Sequence, residues 1–467
     1  MKQLSIIDTL DHVDEEVELY GWVDTKRDHK KVIFIDLRDR TGKIQAVGTE
    51  SLRELTPESV ILLKGLVKKR PERLVNPNIP TGSIEMEVKG FEVLNKAQTP
   101  PIPLYSEGYD IDEELRLKYR YLDLRRKRMG ETLKLRSDYI YALRQELHEK
   151  AFTEVETPIL TKSTKEGARD FLVPARLQPG KFYALPQSPQ QYKQLLMVAG
   201  VERYFQFARC IRDEDLRADR GFEHTQLDLE MSFVTRDEVM QTVEEIVKKA
   251  VIAVGGKLQK ATFPIFDYAD AIKQFGEDKF DLRSDQEKKD GVLAFAWVIN
   301  FPFFKKVDTA DKAEVADGKS GWTFTHNPFS MPLPEHLDWH MKGENIENIM
   351  TTQYDLVCNG FEAGGGSIRA HKAEILEATY KIMGYSPEET QASVGHMLEA
   401  FKYGTPPHGG IALGIDRHVM VLKNERSLKE AIAFPMSSSG KTAVMDAPSP
   451  VDEKQLAELG ISVDNKE

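Results

Sequence analysis

Polar side chains suited to binding a charged ligand alternate with apolar ones along two neighbouring segments, 207–214 and 224–231. The alternation predicts the two arms of a hairpin, joined by a loop that contains Arg217 and Arg220. The polar residues fall at every second position, namely Arg212, Glu214, Gln226, Asp228 and Glu230. Because these side chains share one strand face, they are too costly to bury unpaired. The face therefore binds a polar ligand or forms an ion-pair network, and the pattern leaves both open.

A glycine-rich segment, 360–369, is a second candidate for ligand chemistry. Its three consecutive glycines let the backbone approach a ligand closely, although such a run is more often a plain turn. Asp355 and Glu362 are carboxylates of the kind that hold Mg²⁺, and the planar guanidinium of Arg369 suits a carboxylate. The segment thus predicts a site for a metal ion and an acidic ligand.

Small residues at 409–415 lead into a helix that begins near Asp416 and Arg417. A helix N-terminus attracts phosphate, and an arginine there adds charge, so this segment predicts a phosphate contact. Residues 439–442 resemble the end of a phosphate-binding P-loop, but Pro435 stands where that motif requires glycine. We therefore place the phosphate site at the earlier helix.

The elements before residue 100 read as short alternating strands. They cover 17–23, 32–37, 43–47, 59–67 and 84–94. Five short strands separated by glycine-containing turns fit an OB-fold β-barrel, whose open face suits single-stranded nucleic acid. Phe34 lies in mid-strand among basic residues, where it is either a stacking platform or a core aromatic.

A proline-rich stretch at 99–103 marks the first domain boundary. Beyond it a helical stripe covers 131–151, and strands and helices then mix without regular alternation, which favours an α+β fold around an antiparallel sheet. We expect the barrel over 1–104, a hinge over 105–130 and the larger domain over 131–467.

The chain has 467 residues and a net charge of −11, from 64 Lys and Arg against 75 Asp and Glu. Its charge is polarised, since residues 24–73 carry thirteen bases against eight acids and residues 116–128 carry seven against one. We expect both stretches to face phosphates. The sequence contains only two cysteines, which is typical of a reducing compartment. It contains no apolar signal segment and no membrane-spanning run, so we expect a cytoplasmic protein with no membrane partner.

These motifs together resemble the class II aminoacyl-tRNA synthetases. The helix and strand ending at Pro158, the hairpin around Arg212 and the helix start at Arg417 match the family's motifs one, two and three. The segments 187–190, 364–367 and 403–408 are similar to the bacterial-type aspartyl group in particular. The resemblance implies an OB-fold anticodon-binding barrel, a class II catalytic domain over 131–467 and a homodimer.

The resemblance implies that ATP and Mg²⁺ are used to activate L-aspartate. Arg212 would then bind the α-phosphate and the attacking carboxylate, and Arg417 the γ-phosphate, as the two catalytic residues. Glu214 would hold the adenine amino group, and Asp355 with Glu362 would bind Mg²⁺. His224 stands where relatives carry a phenylalanine that stacks on adenine, and it is expected to keep that contact.

The resemblance also implies an aspartate pocket. Its residues would be Glu166, Ser188, Gln190, Lys193, Gln226, Asp228, His326 and Arg369. Lys193 and Arg369 would clamp the side-chain carboxylate, and asparagine would leave their two charges uncompensated. Ser188, Gln190 and Asp228 would take the ammonium group.

For tRNA, the resemblance assigns Arg217 and Arg220 to the acceptor end, and Phe34 and Gln45 to the anticodon. His29 resembles the relaxed type of enzyme, which charges tRNA(Asn) as well as tRNA(Asp), but it is equally consistent with an exposed turn histidine.

The bacterial family carries a large inserted domain where this chain has only residues 284–291, which we expect to be an exposed loop. Asparaginyl- and lysyl-type synthetases, and a non-catalytic RNA-binding paralogue, remain the alternatives.

Overall fold

The structure is a computed structural model that describes residues 2–164, 167–309, 315 and 318–463. Its internal contacts divide the chain into two units, Met1–Ile111 and Asp112–Glu467. The division falls inside the predicted hinge, because residues from Asp112 onward pack into the second unit.

The first unit is a β-barrel. Its strands are β1 (Lys2–Leu4), β2 (Glu16–His29), β3 (Val32–Arg38), β4 (Lys43–Gly48), β5 (Val60–Lys69) and β6 (Ile84–Asn95). They pair in the order β1-β2-β3-β4-β6-β5, and β2 also pairs with β5, which closes the barrel. The five predicted strands are confirmed, and β1 adds a short parallel strand beside β2.

Period-two alternation builds this barrel. Every second residue of β3, of β4 and of β2 as far as Val23 points inward, as Ile33, Ile35 and Leu37 do with no exposed surface. Gly21 allows β2 to pass close to β3, since a Cβ there would lie 2.5 Å from the Arg38 carbonyl oxygen. Phe34 and Gln45 are half-buried on the outer face, so the interpretation of Phe34 as a core aromatic is wrong.

The second unit is built on a sheet in the order β13-β15-β18-β19-β20-β11-β10-β7. The strands are β7 (Thr153–Glu154), β8 (Leu172–Pro174), β9 (Phe182–Ala184), β10 (Arg203–Ile211), β11 (Glu223–Ser232), β12 (Lys257–Leu258), β13 (Ile265–Asp267), β14 (Val292–Leu293), β15 (Phe295–Ile299), β16 (Phe304–Lys306), β17 (Trp322–Phe324), β18 (Tyr354–Cys358), β19 (Phe361–Ile368) and β20 (His408–Gly414). From β15 to β10 the pairing is antiparallel, and each edge strand is parallel to its neighbour. The predicted α+β fold is confirmed.

The second unit also contains helices. They are α1 (Glu113–Lys118), α2 (Arg120–Asp123), α3 (Lys127–Glu149), α4 (Gln190–Val198), α5 (Arg236–Ala253), α6 (Tyr268–Phe275), α7 (Asp285–Lys289), α8 (Leu337–Lys342), α9 (Ala373–Ile382), α10 (Pro387–Phe401), α11 (Ile415–Leu422) and α12 (Glu453–Glu458). The stripe of α3 that includes Leu143 and Leu147 forms the main core with α5, α11 and the sheet. In the described part of the chain, no helix is both long and apolar enough to cross a membrane.

Four of the seven bases in the run 116–128 are buried, namely Arg116, Arg120, Arg126 and Arg128, so the expectation that this run faces phosphates is wrong for them. Arg116 pairs with Asp123 at 3.0 Å and with Glu430 at 2.9 Å, and it is 6% exposed. Arg120 is 1% exposed and donates to Asp123 and to three backbone carbonyls between 429 and 433. Buried arginines need such partners, so the run joins α1 and α2 to the C-terminal segment.

The glycine-rich segment and the segment 284–291 both differ from a plain turn or loop. The three glycines lie within β19 and not in a turn; at Gly366 a Cβ would lie 2.2 Å from the Gly410 carbonyl oxygen of β20. Residues 284–291 are mostly exposed, as expected, but they form the helical turn α7, which Ser284 and Glu287 cap.

Candidate active site

A cavity of about 290 Å³ opens on the face of the sheet formed by β11, β19 and β20. The predicted residues that line it are Ser188, Gln190, Lys193, Arg212, Glu214, Arg220, His224, Gln226, Asp228, His326, Glu362, Arg369 and Arg417. These residues come from segments that are far apart in the sequence, and antiparallel pairing of the central strands brings them to one place. The structure therefore joins the hairpin around Arg212, the glycine-rich segment and the helix start at Arg417 in a single site.

Four charged side chains form the floor of this cavity. Lys193 Nζ lies 2.9 Å from Asp228 Oδ1 and 3.2 Å from Glu230 Oε2. Arg369 Nε donates to Glu230 Oε1 at 2.9 Å. Burial raises the pKa of Glu230, but Arg369 and Lys193 outweigh this effect and lower the pKa to about 2. Glu230 thus stays ionised and fixes both cations.

This floor corrects the expected basis of specificity. Lys193 and Arg369 are already compensated by Asp228 and Glu230, so a neutral ligand would not leave two bare charges in the cavity. The ion-pair interpretation of the polar strand face is confirmed for Asp228 and Glu230, and ligand binding in the adjoining cavity stays a prediction. Arg212 and Glu214 follow the end of β10 and do not lie on that strand face.

What remains on the two cations is hydrogen-bonding capacity. Among the partners that the described residues supply, Lys193 uses two of its three N–H donors, on Asp228 and Glu230. Arg369 uses four of its five, on Glu230, the Ser367 hydroxyl and the Gly410 carbonyl. Each cation therefore keeps one donor for a ligand, and a carboxylate can accept from both.

Two arginines, Arg212 and Arg417, line the part of the cavity away from this floor. Arg212 donates to the Gln187 carbonyl oxygen at 3.1 Å, just beyond the end of β10. Arg417, in the first turn of α11, donates to the Glu362 carbonyl oxygen at 2.9 Å and lies 3.3 Å from Asp219 Oδ2. Glu214 pairs with Arg220 at 3.2 Å. These contacts hold two guanidinium groups at the edge of the cavity, where phosphates would be bound.

His224 lies between these arginines and the floor. Its Nε2 is 3.3 Å from Gln226 Oε1, and Gln226 donates to Asp228 Oδ2 at 2.7 Å. Burial, reinforced by Arg212, lowers the pKa of His224 to about 3. The imidazole is neutral near pH 7, which suits a ring that stacks on a base.

Two carboxylates converge beside Gly365. A Cβ on this glycine would lie 3.1 Å from Asp355 Oδ1 and 3.5 Å from Glu362 Oε1. Lys279 pairs with Glu362 at 3.0 Å, and His326 lies 3.2 Å from Asp355. Burial raises the pKa of Glu362, but Lys279 and Arg417 lower it to about 2.

This pair fits Mg²⁺ better than a metal held by protein alone. Within the described ranges, no group of three or more His, Cys, Asp or Glu side chains is placed to hold a metal ion. Mg²⁺ is typically bound by one or two carboxylates together with substrate phosphates and water. Asp355 and Glu362, next to the edge of the cavity that contains Arg417, match that donor set.

Some predicted residues lie outside this cavity. Arg217 lines a neighbouring cavity of about 310 Å³, behind the loop between β10 and β11. Glu166 is outside the described residues.

The predicted anticodon residues share the outer face of the barrel. His29, at the end of β2, meets Phe34 edge-on with ring centroids 5.6 Å apart. Arg27 donates to Gln45 Oε1 at 3.1 Å and to Asp36 Oδ1 at 3.0 Å. An exposed imidazole, a half-buried ring and an amide thus lie around one arginine, as a surface that stacks and reads bases requires.

Comparison with known families agrees with this geometry. Residues 17–94 match the OB-fold nucleic acid binding domain, and residues 112–438 match the tRNA synthetases class II (D, K and N). The second match covers more than half of the chain. The chain belongs to the class II tRNA synthetases. The predicted family is thereby confirmed, and the synthetase is an aminoacyl-tRNA ligase.

Curated relatives resemble the synthetase over almost its full length. The aspartate–tRNA(Asp/Asn) ligase of Corynebacterium jeikeium is 40% identical, over 97% of this chain and 96% of its own. The aspartate–tRNA ligase of Staphylococcus aureus is 37% identical, over 96% and 97%. The first alignment extends over 577 positions, more than the 467 residues of the synthetase, so that relative contains residues that the synthetase lacks.

Solved structures share the fold. A putative aspartyl-tRNA synthetase from Leishmania major is 20% identical, with a TM-score of 0.73 over 93% of this chain and 94% of its own. Asparaginyl-tRNA synthetase from Pyrococcus horikoshii, in complex with asparaginyl-adenylate, is 24% identical, with a TM-score of 0.71 over 91% and 95%.

Sequence reasoning missed two residues that organise the site of the synthetase. Glu230 carried a signal, since it continues the polar face of β11 beyond Gln226 and Asp228, but no role followed from that pattern. Lys279 carried none, because a single lysine in a polar loop resembles any solvated residue.

Proposed function

We propose that this synthetase is an aspartate–tRNA ligase, which activates L-aspartate with ATP and transfers it to the 3′ end of tRNA(Asp). The observation that carries the proposal is the pair of remaining donors on Lys193 and Arg369 in the floor of the cavity. The curated relatives, named as aspartate ligases, support the same assignment.

These two donors select a carboxylate by hydrogen-bond polarity. The side-chain carboxylate of aspartate offers only acceptors, so it satisfies Lys193 and Arg369 together. The amide of asparagine would turn its NH₂ group toward one of the two donors and leave that donor unsatisfied, and a lysine ammonium would meet two cations. Ser188, Gln190 and Asp228 take the α-ammonium group, and Gln226 takes the α-carboxylate.

Activation then needs charge neutralisation and alignment. The ionised α-carboxylate attacks the α-phosphate of ATP, a P–O bond forms to the carboxylate, and pyrophosphate leaves. Arg212 neutralises the α-phosphate and aligns the attacking oxygen, while Arg417 holds the γ-phosphate. No general base is needed, because the nucleophile carries no proton at neutral pH.

His224 stacks on the adenine. Glu214 releases its ion pair with Arg220 and accepts a hydrogen bond from the adenine amino group instead. Asp355 and Glu362 hold Mg²⁺, which when bound neutralises charge on the phosphates of ATP. His326, which lines the cavity, contacts the amino acid.

The barrel reads the anticodon through Phe34, Gln45 and His29, and Arg217 with Arg220 meets the acceptor end. His29 favours a relaxed enzyme that also charges tRNA(Asn), as does the name of the Corynebacterium jeikeium relative.

The segment next to Pro158 favours a homodimer. Two apolar side chains there are exposed, Ile159 at 55% and Leu160 at 51%, and a second copy of the chain would cover them. The cytoplasm stays the predicted location.

Charging of purified transcripts tests the proposal. We expect aspartate to be attached to tRNA(Asp), and tRNA(Asn) to accept aspartate as well if His29 marks the relaxed type. Failure to charge tRNA(Asp) would overturn the proposal, and charging of tRNA(Asp) alone would reject the relaxed specificity only.

A further inference from the structure

A chain of three hydrogen bonds runs beneath the ammonium side of the amino-acid cavity. Gln190 Nε2 donates to Gln194 Oε1 at 2.9 Å, one turn further along α4. Gln194 Nε2 lies 3.2 Å from His408 Nε2, and His408 Nδ1 lies 2.8 Å from the Pro406 carbonyl oxygen. Gln194 and His408 have no exposed surface, and Gln190 is 8% exposed where it lines the cavity.

The direction of this chain is set at its far end. The Pro406 carbonyl can only accept, so His408 Nδ1 carries a hydrogen. Burial lowers the pKa of His408 to about 4, so the ring is neutral near pH 7 and its Nε2 accepts. Gln194 must therefore donate to the ring through Nε2, which leaves its Oε1 to accept from Gln190.

The consequence appears at Gln190. Since its Nε2 is engaged by Gln194, its Oε1 is the end of the amide that is left for a ligand in the cavity. An ammonium group has donors only, so it is bound by a carbonyl oxygen and repelled by an NH₂ group. The orientation of this amide therefore decides whether Gln190 favours or opposes the α-ammonium group.

We propose that Gln194 and His408 are positioning residues, which fix the amide of Gln190 with its carbonyl oxygen toward the ammonium group of the amino acid. The inference rests on the proposed function in one respect, that Gln190 contacts the ammonium group of aspartate. Neither positioning residue touches the substrate, and each acts through the next amide in the chain.

A glutamine-to-methionine exchange tests the first positioning residue. Gln194→Met keeps the volume but removes the acceptor, so the Gln190 amide is free to turn. We expect the KM for aspartate in ATP–pyrophosphate exchange to rise about tenfold, as for the loss of a hydrogen bond to a charged group. The KM for ATP stays unchanged. Gln191→Met is the matched control, since Gln191 on the same helix is also buried but contacts His396 at 2.7 Å and lines a different cavity.

Succinate separates positioning from general damage. It carries both carboxylates of aspartate but no ammonium group, so its inhibition constant should be the same for Gln194→Met and the unmodified enzyme. Equal weakening of succinate and aspartate would overturn the inference in favour of a structural role. An unchanged aspartate KM would overturn it directly.

A pair of substitutions at the second residue gives an independent test. His408→Gln can still accept from Gln194 and should keep the aspartate KM near that of the unmodified enzyme, whereas His408→Leu cannot and should raise it about tenfold. Equal effects of the two would contradict the inference. If the unmodified enzyme shows no aspartate-dependent exchange, the proposed function itself fails, which is a distinct outcome.

Discussion

Single residues decide which amino acid the cavity accepts. Arg369 is 2% exposed and bridges Glu230, Ser367 and the Gly410 carbonyl, while it keeps one donor for the ligand. We predict that Arg369→Ala lowers aspartate-dependent pyrophosphate exchange by at least about a hundredfold, equivalent to about 3 kcal/mol. The affinity for ATP, measured by calorimetry, should change little because Arg369 lies on the amino-acid side.

Arg283→Ala is the control for this change. Arg283 is also a largely buried arginine, paired with Asp281 at 2.9 Å, but it lines no part of the cavity. Unchanged exchange in Arg369→Ala, or an equal loss in Arg283→Ala, would refute the role of Arg369.

On the barrel, Phe34 is the residue expected to stack on a base. Phe34→Ala should raise the KM for tRNA(Asp) about tenfold, since stacking on an aromatic ring contributes about 1–3 kcal/mol. Exchange without tRNA should not change. Tyr20→Ala, at an exposed aromatic elsewhere on β2, should leave the KM for tRNA unaltered; a similar rise in both variants would argue against specific stacking.

At the scale of elements, buried arginines attach α1 and α2 to the C-terminal segment. Arg120→Ala leaves Asp123 and the carbonyls of Lys429, Ile432 and Ala433 without this donor. We expect a loss of about 3 kcal/mol or more of unfolding free energy, measured by urea denaturation. The salt dependence of tRNA binding should be unchanged, because Arg120 contacts no phosphate.

Lys127 lies in the same run with an 88% exposed side chain, so Lys127→Ala should leave the stability unchanged. The phosphate-binding interpretation of this run would be restored by a different result. In that case tRNA binding by Arg120→Ala would depend less steeply on salt, while its free energy of unfolding would equal that of the unmodified protein.

The short turn α7 stands where the resemblance implies an inserted domain in bacterial relatives. Its residues 285, 286, 288 and 289 are exposed. Replacing Lys288 and Lys289 together by alanine should leave aspartate-dependent exchange within about twofold, as is usual for surface positions. Loss of exchange would mean that this turn contributes to the active site after all.

Across the whole molecule, strand alternation and motif spacing predicted most of the architecture. The five barrel strands, the hairpin of β10 and β11, and the helix start at Arg417 all follow from local periodicity. The burial of the run 116–128 could not be predicted, because charge in a sequence carries no information on burial. Apart from Asp123, the acceptors of its arginines, such as Glu430, lie about 300 residues away. The contacts of Glu230 were likewise out of reach, because they depend on β11, β19 and α4 meeting in space.

The central claim is that the cavity floor selects aspartate. ATP–pyrophosphate exchange with aspartate, asparagine or lysine as the only amino acid measures this selection most directly. We predict exchange with aspartate and rates about tenfold to a hundredfold lower with asparagine, because a buried donor that is left unsatisfied costs about 1–3 kcal/mol. The rate with lysine should be lower still, because two cations also repel its ammonium group. Exchange with asparagine or lysine that equals or exceeds the rate with aspartate would contradict the account.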